Sequence, residues 1–354
     1  MQTQTPNPDP IGVLLIGSIP LPSPDAVFAK LATTLPNRLH TLPDGETSTR
    51  YNWIEWQLPC FPLETLRPQH GGIDLPATPG VYSQDSIGRT RYDEVAIESY
   101  TRFVALRENG IIPAGVRFQV SLPTPYAVIQ SHLRPEFHAQ FEPWYEARLL
   151  EALAAIIAHV PASALAIQWD VAVEVLALEH ERGRLCNEFF RPHFINEPGG
   201  VRAGVLSRIG RICAGIPADV ELGFHFCYGD AGHRHFVEPE DLGLVVDLAN
   251  GVVEMLGKMR DIGWVHVPVP KGRDDEAYFE PLRGLRIAEE TRLYLGLVHA
   301  YDLDGTRWRI RAAQRVLQRG FGVATECGIG RTPGEELESI LDISMEVTAP
   351  IRNQ

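Results

Sequence analysis

The chain has 354 residues, of which 44% are hydrophobic and 22% are charged, and its formal net charge is -13. This is enough apolar material for a large core, and α/β barrels often reach this length as one domain. The acidic balance argues against a nucleic-acid partner, because phosphate binding needs clustered lysine and arginine. No stretch approaches the roughly 18 apolar residues of a membrane helix, and the N-terminus lacks the basic start of a secretory signal. We therefore expect a cytoplasmic protein with no membrane partner.

The five cysteines lack the dense, even spacing of a disulfide framework. We therefore predict reduced thiols. Cys60, Cys186 and Cys213 are expected to be structural, whereas Cys227 and Cys327 fall at the ends of predicted strands.

Short apolar or β-branched runs that end in glycine, proline or acidic residues alternate along the chain with helical patterns. Eight strands are predicted in this way, over 12–20, 39–46, 115–123, 164–173, 220–229, 263–270, 292–302 and 321–330. Strand and helix in alternation indicate a parallel sheet, and eight strands are most economically arranged as a closed barrel. We predict an α/β protein with a single (β/α)8 TIM-barrel domain over 12–350 and a flexible tail over 1–11. An open doubly wound sheet is the alternative that periodicity leaves open.

Three other segments have distinct patterns. Apolar residues at helical spacing predict a helix over 142–159. The arginine-rich run 307–319 has the spacing of an amphipathic helix, with its arginines on the wet face. Segment 58–90, after the second strand, is rich in proline and glycine and is predicted to be a long loop that covers the mouth of the barrel.

In a parallel barrel the chemistry sits where the strands end, at their carboxyl edge. Polar or reactive residues gather at the predicted ends. They are Ser18, Asp44, Glu46, Asp170, His225, Cys227, His266, His299, Asp302 and Cys327.

A candidate metal site is suggested by the pair His225 and Cys227, which are two residues apart in a strand and so point to the same face. Cys327, at the end of the last strand, could supply a third ligand. One imidazole and two thiolates favour zinc, and an incomplete ligand shell leaves a position for substrate. Spacing alone is equally compatible with a buried histidine and two inert core cysteines.

Five short motifs follow one another along the chain at predicted strand ends. They are Ile16-Gly17-Ser18, Asp44-Gly45-Glu46, Gln168-Trp169-Asp170, His225-Phe226-Cys227-Tyr228 and Cys327-Gly328-Ile329-Gly330. In this order they resemble the signatures of the catalytic domain of cobalamin-independent methionine synthase, and the resemblance extends over nearly the whole chain. It implies a TIM-barrel enzyme that transfers a methyl group to a zinc-activated thiol.

The resemblance also implies roles for individual residues. His225, Cys227 and Cys327 would bind zinc. The amino-acid part of a homocysteine-like thiol would be held by Ile16, Gly17, Ser18, Glu46 and Asp170. Backbone N–H groups beside a small serine can receive a carboxylate, and two carboxylates can clamp an ammonium group.

Three further residues have separate places in this scheme. By the resemblance, His299 would be the catalytic acid that protonates the leaving group. For Glu46 a structural ion pair is the alternative to a ligand role. Glu174, four residues after Asp170, is expected to be an orienting or surface residue.

The sequence departs from the family on the predicted sixth strand, where the family supplies a glutamate as fourth zinc ligand. The stretch 264–270 contains no carboxylate. His266, water or the substrate could take that position, or the metal site could be lost. A polyglutamylated folate donor would prefer a basic approach, which this acidic chain does not offer. The broader expectation is transfer of a methyl or other alkyl group to or from a small-molecule thiol.

Two other functions are compatible with the same barrel. A metal-free lyase or decarboxylase of the uroporphyrinogen decarboxylase type would need arginines at the end of the first strand, and 16–20 has none. A degenerate, non-catalytic protein could keep the amino-acid pocket without turnover. Bound metal would separate both from the thiol alkyltransferase.

Overall fold

The computed structural model describes residues 9–75, 80–229, 234–257 and 259–351 of the chain. Eight strands within these residues form one parallel sheet. They are β1 Val13–Leu14, β2 Thr41–Pro43, β3 Arg117–Pro123, β4 Leu165–Val171, β5 Glu221–Phe226, β6 Trp264–Pro268, β7 Arg292–Val298 and β8 Gly322–Thr325. Each lies within one of the predicted strands and is shorter than it.

The strand order is β1-β8-β7-β6-β5-β4-β3-β2, and all neighbours are parallel. The two ends of this order meet just beyond the first two strands. Ser18 forms a parallel bridge with Gly45, and the Ile19 N–H donates to the Gly45 carbonyl at 2.8 Å. The sheet therefore closes on itself, which confirms the predicted (β/α)8 barrel and excludes the open sheet.

Helices alternate with the strands around this barrel. They are α1 Pro24–Thr34, α2 Tyr92–Glu108, α3 Pro125–His132, α4 His138–His159, α5 Val173–Glu181, α6 Gly200–Ala214, α7 Gly243–Leu256, α8 Glu276–Phe279, α9 Leu303–Val316 and α10 Glu336–Val347. The predicted helix over 142–159 is confirmed as part of α4.

Large rings and glycines complement each other inside the barrel. Trp264 and Tyr294 are almost completely buried, in a cluster with residues from strands across the barrel. A Cβ at Gly223 would lie 1.9 Å from the Trp264 ring, and one at Gly322 would lie 2.5 Å from the Tyr294 ring. These positions must be glycine because the ring of a neighbouring strand occupies the space of a side chain.

Most of the arginine-rich run 307–319 does form a helix, α9, and its apolar residues Ile310, Ala313 and Val316 are buried. The expectation that its arginines lie on the wet face is wrong for Arg309, whose side chain is 1% exposed. This guanidinium donates to the carbonyls of Leu297 and Lys271 and pairs with Asp302 at 2.8 Å. Burial of the charge is possible because these acceptors replace water.

The described part of the long loop contains several short 3-10 turns and packs against α3 and α4. Leu66 forms an antiparallel bridge with Leu133, just after α3, and the Tyr82 ring contacts Phe137 and Phe141 near the start of α4. Apolar side chains of the loop thus find partners on these helices. A cover over the barrel mouth stays a prediction for this segment.

The predicted N-terminal tail falls mostly outside the described residues, which begin at residue 9. Ile11 is paired in parallel with Ala349, and its N–H donates to the Phe321 carbonyl. Residue 11 thus belongs to the barrel rather than to the tail. None of the helices in the described part of the chain combines the length and apolar character needed to cross a bilayer.

Candidate metal and substrate site

Three soft side chains converge at the carboxyl ends of β5 and β8. His225 is near the end of β5, Cys227 follows that strand, and Cys327 follows β8. The two sulfurs are 3.7 Å apart, and the Cys327 sulfur is 3.7 Å from Nε2 of His225. All three ligand atoms lie within 4.8 Å of one another. The structure thus brings together the three residues that the sequence predicted as ligands.

Two of the three separations, both 3.7 Å, are close to those around a tetrahedral zinc ion. Bond lengths of about 2.3 Å to sulfur and about 2.0 Å to nitrogen require about 3.8 Å between two sulfurs and about 3.5 Å between sulfur and nitrogen. The neighbouring Cys227 thiol and burial raise the pKa of Cys327 well above its ordinary value. A cation would reverse this effect, because metal binding displaces the thiol proton.

His266 is not placed as a fourth ligand of this group. Its Nδ1 lies 2.8 Å from Nδ1 of His225, on the edge of that ring opposite to the cysteines. Its Nε2 contacts the Thr325 carbonyl at 3.1 Å. Both ring nitrogens of His266 are therefore engaged away from the three-ligand group.

A cavity of about 50 Å³ opens beside the three ligands. Its lining includes the predicted metal and substrate residues, and it comprises Ile16, Gly17, Ser18, Glu46, Trp53, Asp170, Ala172, His225, Cys227, Gly229, Cys327, Gly328 and Arg331. A larger cavity of about 1370 Å³ lies at the amino ends of the strands, around Arg117 and Arg292. In parallel barrels that end serves stability and the carboxyl end carries the chemistry, so the smaller cavity is the candidate active site.

The segment after β1 is held by the interior of the barrel. The Ile16 carbonyl accepts hydrogen bonds from Gln168 at 2.6 Å, from Ser121 at 2.9 Å and from Gln119 at 3.1 Å. In a trans peptide the next N–H points opposite to the carbonyl. The Gly17 N–H is thus directed away from these three side chains, at the position where the resemblance implies a carboxylate-binding group.

The glycines of the first and last motifs allow close packing at the cavity wall. A Cβ at Gly17 would lie 3.2 Å from the Glu46 carboxyl oxygen. One at Gly328 would lie 2.5 Å from the Ser18 hydroxyl, and one at Gly330 would lie 2.6 Å from the Ser18 Cβ. The Gly330 N–H donates to the Ser18 hydroxyl at 3.1 Å. Ser18 therefore fastens the segment that carries Cys327 to the first strand.

Two carboxyl groups, those of Glu46 and Asp170, line the cavity. Burial and the neighbouring Asp170 raise the pKa of Glu46 to about 8, against the attraction of Arg50 and Arg331. Burial raises the pKa of Asp170 to about 6, although it accepts hydrogen bonds from Gln168 and from the Trp53 indole. The two arginines offset only part of the cost of ionising Glu46, so an ammonium group near both acids would favour their ionised forms.

Asp44, the first residue of its motif, is a structural anchor. Its carboxylate pairs with Arg50 at 2.7 Å and accepts a hydrogen bond from the Ser99 hydroxyl, also at 2.7 Å. It also accepts from the Glu46 N–H at 2.9 Å. Glu46 itself has a left-handed backbone with φ 46°. Asp44 therefore forms a structural ion pair with Arg50 and fixes the turn that directs Glu46 toward the cavity.

His299, the predicted catalytic acid, is not among the residues that line this cavity. Its Nε2 contacts the Val269 carbonyl at 3.0 Å. Burial and the charge of Arg309 lower the pKa of His299 to about 4. The ring is therefore neutral near pH 7, and its role as acid rests on the resemblance alone.

Trp53 and Arg331 line the cavity but were not singled out by sequence reasoning. Trp53 lies in the turns after the Glu46 motif and has a left-handed backbone with φ 52°. Neither residue type nor spacing marks it as a neighbour of Asp170. A single charged residue just after a metal-ligand motif, such as Arg331, is the kind of signal that could have been weighted more strongly.

Glu174 is fully buried in the first turn of α5, so the expectation of a surface position is wrong. Its carboxyl group accepts a hydrogen bond from Thr124, which also caps α3. Burial raises the pKa of Glu174 to about 7. The preceding strand turns this side chain inward, where Thr124 replaces part of its water.

The Glu174→Gln variant is expected to be increasingly stable, relative to the parent, as pH rises. A raised pKa means that the folded state favours the protonated acid, so the parent loses stability between the unfolded pKa and the folded value of about 7. The difference in free energy of unfolding should grow by about 2–3 kcal/mol from pH 5 to pH 8. Urea denaturation at both pH values measures it. Parallel stability profiles of variant and parent would contradict this expectation.

Comparison with known proteins gives matches only at the level of structure. No family model matches the chain, and no curated protein matches it. It is similar to a structure described as a B12-independent methionine synthase from a Shewanella species in complex with selenomethionine, with 14% identity and a TM-score of 0.45. The match covers 76% of this chain and 66% of that chain, so this chain spans just under two thirds of that protein's length. It is also similar to a Listeria monocytogenes protein assigned as a vitamin-B12-independent methionine synthase, with 15% identity and a TM-score of 0.49 over 92% of this chain and 87% of that chain. Both names are those of the family that the motifs resemble.

Proposed function

We propose that this chain binds one zinc ion through His225, Cys227 and Cys327 and transfers a methyl or other alkyl group to or from the sulfur of an amino-acid thiol. The observation that carries the proposal is the pair of 3.7 Å separations among the three ligand atoms, which match the edges of a zinc tetrahedron. The same three side chains line the cavity that contains Glu46 and Asp170, so a metal held by them would be within reach of a bound substrate.

Zinc, when bound, lowers the pKa of a thiol and leaves a nucleophilic sulfur at neutral pH. The chain's own residues bind and orient the substrate around that sulfur. Glu46 and Asp170 face its ammonium group, and the segment from Ile16 to Ser18 receives its carboxylate. Because residue 17 is glycine, the backbone can lie close to the Glu46 carboxyl group. The amino-acid group of the substrate would then be held beside His225, Cys227 and Cys327.

The carboxyl pair gives the pocket its preference for an amine. Glu46 holds a proton in the empty site, because burial and Asp170 raise its pKa to about 8. An ammonium group stabilises the ionised form of both acids, and the proton of Glu46 is released to solvent. A thiol without an amine lacks this stabilisation and leaves Glu46 protonated.

The proposal is tested by loading the purified chain with cobalt(II), which binds the same kind of site and absorbs light through its thiolate ligands. We expect about one metal per chain. Homocysteine should change the thiolate absorption, whereas homoserine, which has oxygen in place of sulfur, should not. 4-Sulfanylbutanoate, which lacks the amine, should bind at least about 10-fold more weakly, since a buried charge partner is worth 2 kcal/mol or more.

Two results would contradict the proposal. One is a chain that retains no zinc or cobalt after either metal is offered. The other is an identical spectral response to homocysteine and homoserine, which would mean that the sulfur does not approach the metal. Equal binding of homocysteine and 4-sulfanylbutanoate would contradict the role of Glu46 and Asp170 in binding the amine. It would not contradict the metal site.

A further inference from the structure

His266 sits directly behind one of the three metal-binding side chains. It is the neighbour of His225 in the register of β5 and β6, and it is 0% exposed. The two rings are inclined at 47°, with their Nδ1 atoms 2.8 Å apart. On its other edge, Nε2 of His266 lies 3.1 Å from the Thr325 carbonyl.

These two contacts determine where the imidazole protons are. A carbonyl oxygen can only accept a hydrogen bond, so Nε2 of His266 carries a proton and donates it to Thr325. His266 is completely buried, where an extra positive charge would be costly, so its Nδ1 carries no proton. That Nδ1 is then the acceptor, and the Nδ1–H of His225 is the donor.

The consequence falls on the opposite nitrogen of His225. A neutral imidazole with its proton on Nδ1 has a lone pair on Nε2. This is the atom that lies 3.7 Å from the Cys327 sulfur and that belongs to the three-ligand group. The hydrogen-bonded chain thus prepares His225 as a ligand before any metal arrives.

Thr325 connects the same chain to a second ligand. Its carbonyl accepts from His266, and its hydroxyl donates to the Cys327 carbonyl at 2.7 Å. One residue of β8 therefore fixes the proton position on His225 and the backbone of Cys327. Side chains that only filled the barrel interior would not need hydrogen bonds from one residue, Thr325, to reach both Cys327 and, through His266, His225.

We propose that His266 is a positioning residue that holds His225 in the Nδ1–H tautomer, through the chain Thr325 carbonyl, His266 and His225, so that Nε2 is available to the metal. This inference rests on the proposed metal function of His225. It gives His266 a role beside the metal site and not in its ligand shell. Loss of a hydrogen-bond partner of this kind typically lowers metal affinity about 10–100-fold.

The test compares His266→Leu, which removes both hydrogen bonds, with His266→Asn, whose side-chain oxygen can stand close to the Nδ1 position. Zinc affinity is measured by competition with a chromophoric chelator, and folding by circular dichroism and urea denaturation. We expect the leucine variant to fold and to bind zinc about 10–100-fold more weakly, and the asparagine variant to recover most of the loss. Folded His266→Leu with the affinity of the parent would overturn the inference.

A second readout observes the tautomer itself. Long-range ¹H–¹⁵N spectra of the parent protein labelled with ¹⁵N-histidine distinguish a ring protonated on Nδ1 from one protonated on Nε2. We expect Nδ1–H on His225 and Nε2–H on His266, assigned with the two variants. The opposite tautomer on His225 would overturn the inference even if His266→Leu fails to fold. If the parent binds no zinc but has the expected tautomers, the metal function fails and the hydrogen-bonded chain stands.

Discussion

Replacing Cys327 by serine is expected to abolish zinc binding at the proposed site. Cys327 is the ligand that contacts both others, at 3.7 Å from the Cys227 sulfur and 3.7 Å from Nε2 of His225. A serine hydroxyl is harder and stays protonated, so only one thiolate and one imidazole remain. The loss of affinity should exceed the factor of about 100 that marks the upper range for outer-shell changes. The zinc content, measured by plasma mass spectrometry of the purified proteins, should fall from about one zinc per chain in the parent to nearly none in the variant.

Cys60→Ser is the matched control for this variant. Cys60 is also buried, and its sulfur contacts the Gln57 side chain and the Arg89 carbonyl. A serine hydroxyl at this position can form the same kind of contact. We expect this variant to keep the full zinc content. If Cys327→Ser binds zinc with the affinity of the parent, Cys327 is not a zinc ligand. Equal losses in both serine variants would indicate a general effect on folding.

The Gly223→Ala variant is expected to destabilise the barrel by about 3 kcal/mol or more, at the upper end of the cost of overpacking. The new methyl group would lie 1.9 Å from the ring of Trp264, and that ring is fully buried. Neither can move without displacing β5 or β6, because the two strands are paired at this position. Urea denaturation gives the free energy of unfolding that checks the prediction.

Two companion variants isolate the steric cause. Gly215→Ala, at the end of α6, adds the same methyl where nothing lies within 4 Å and φ is -85°, so we expect little change or a slight gain in stability. Combining Gly223→Ala with Trp264→Phe makes room for the methyl group and should recover part of the loss relative to the sum of the single changes. If Gly223→Ala is as harmless as Gly215→Ala, the packing of Trp264 against this strand is not as described.

The strand count and the convergence of His225, Cys227 and Cys327 were both accessible from sequence, for the same reason. Buried parallel strands read as short apolar runs that end in turn residues, and catalytic side chains follow directly at their carboxyl ends. His225 and Cys227 are two residues apart in such a run, so their common face is a property of local geometry. Cys327 could be added because the eighth strand returns to the same mouth.

Residues whose meaning depends on distant partners were missed or misplaced. His266 contacts His225 across 41 residues of chain, and its proton position depends on Thr325, another 59 residues on. Arg309 looked like one more arginine of a wet helix face, yet carbonyl acceptors from two other segments allow its burial. Glu174 is buried because Thr124, 50 residues earlier, lies beside it. Local pattern contains no information about such pairs.

The positions of the two sulfur ligands also bear on how the chain folds. Cys227 and Cys327 are 100 residues apart, and the strands that precede them, β5 and β8, are separated by two other strands in the barrel. An ion held by both would act as a cross-link that closes a long loop of the unfolded chain, as a disulfide does. Metal binding and folding would then be linked, and a chelator that strips the ion would also weaken the closure of the C-terminal half of the barrel.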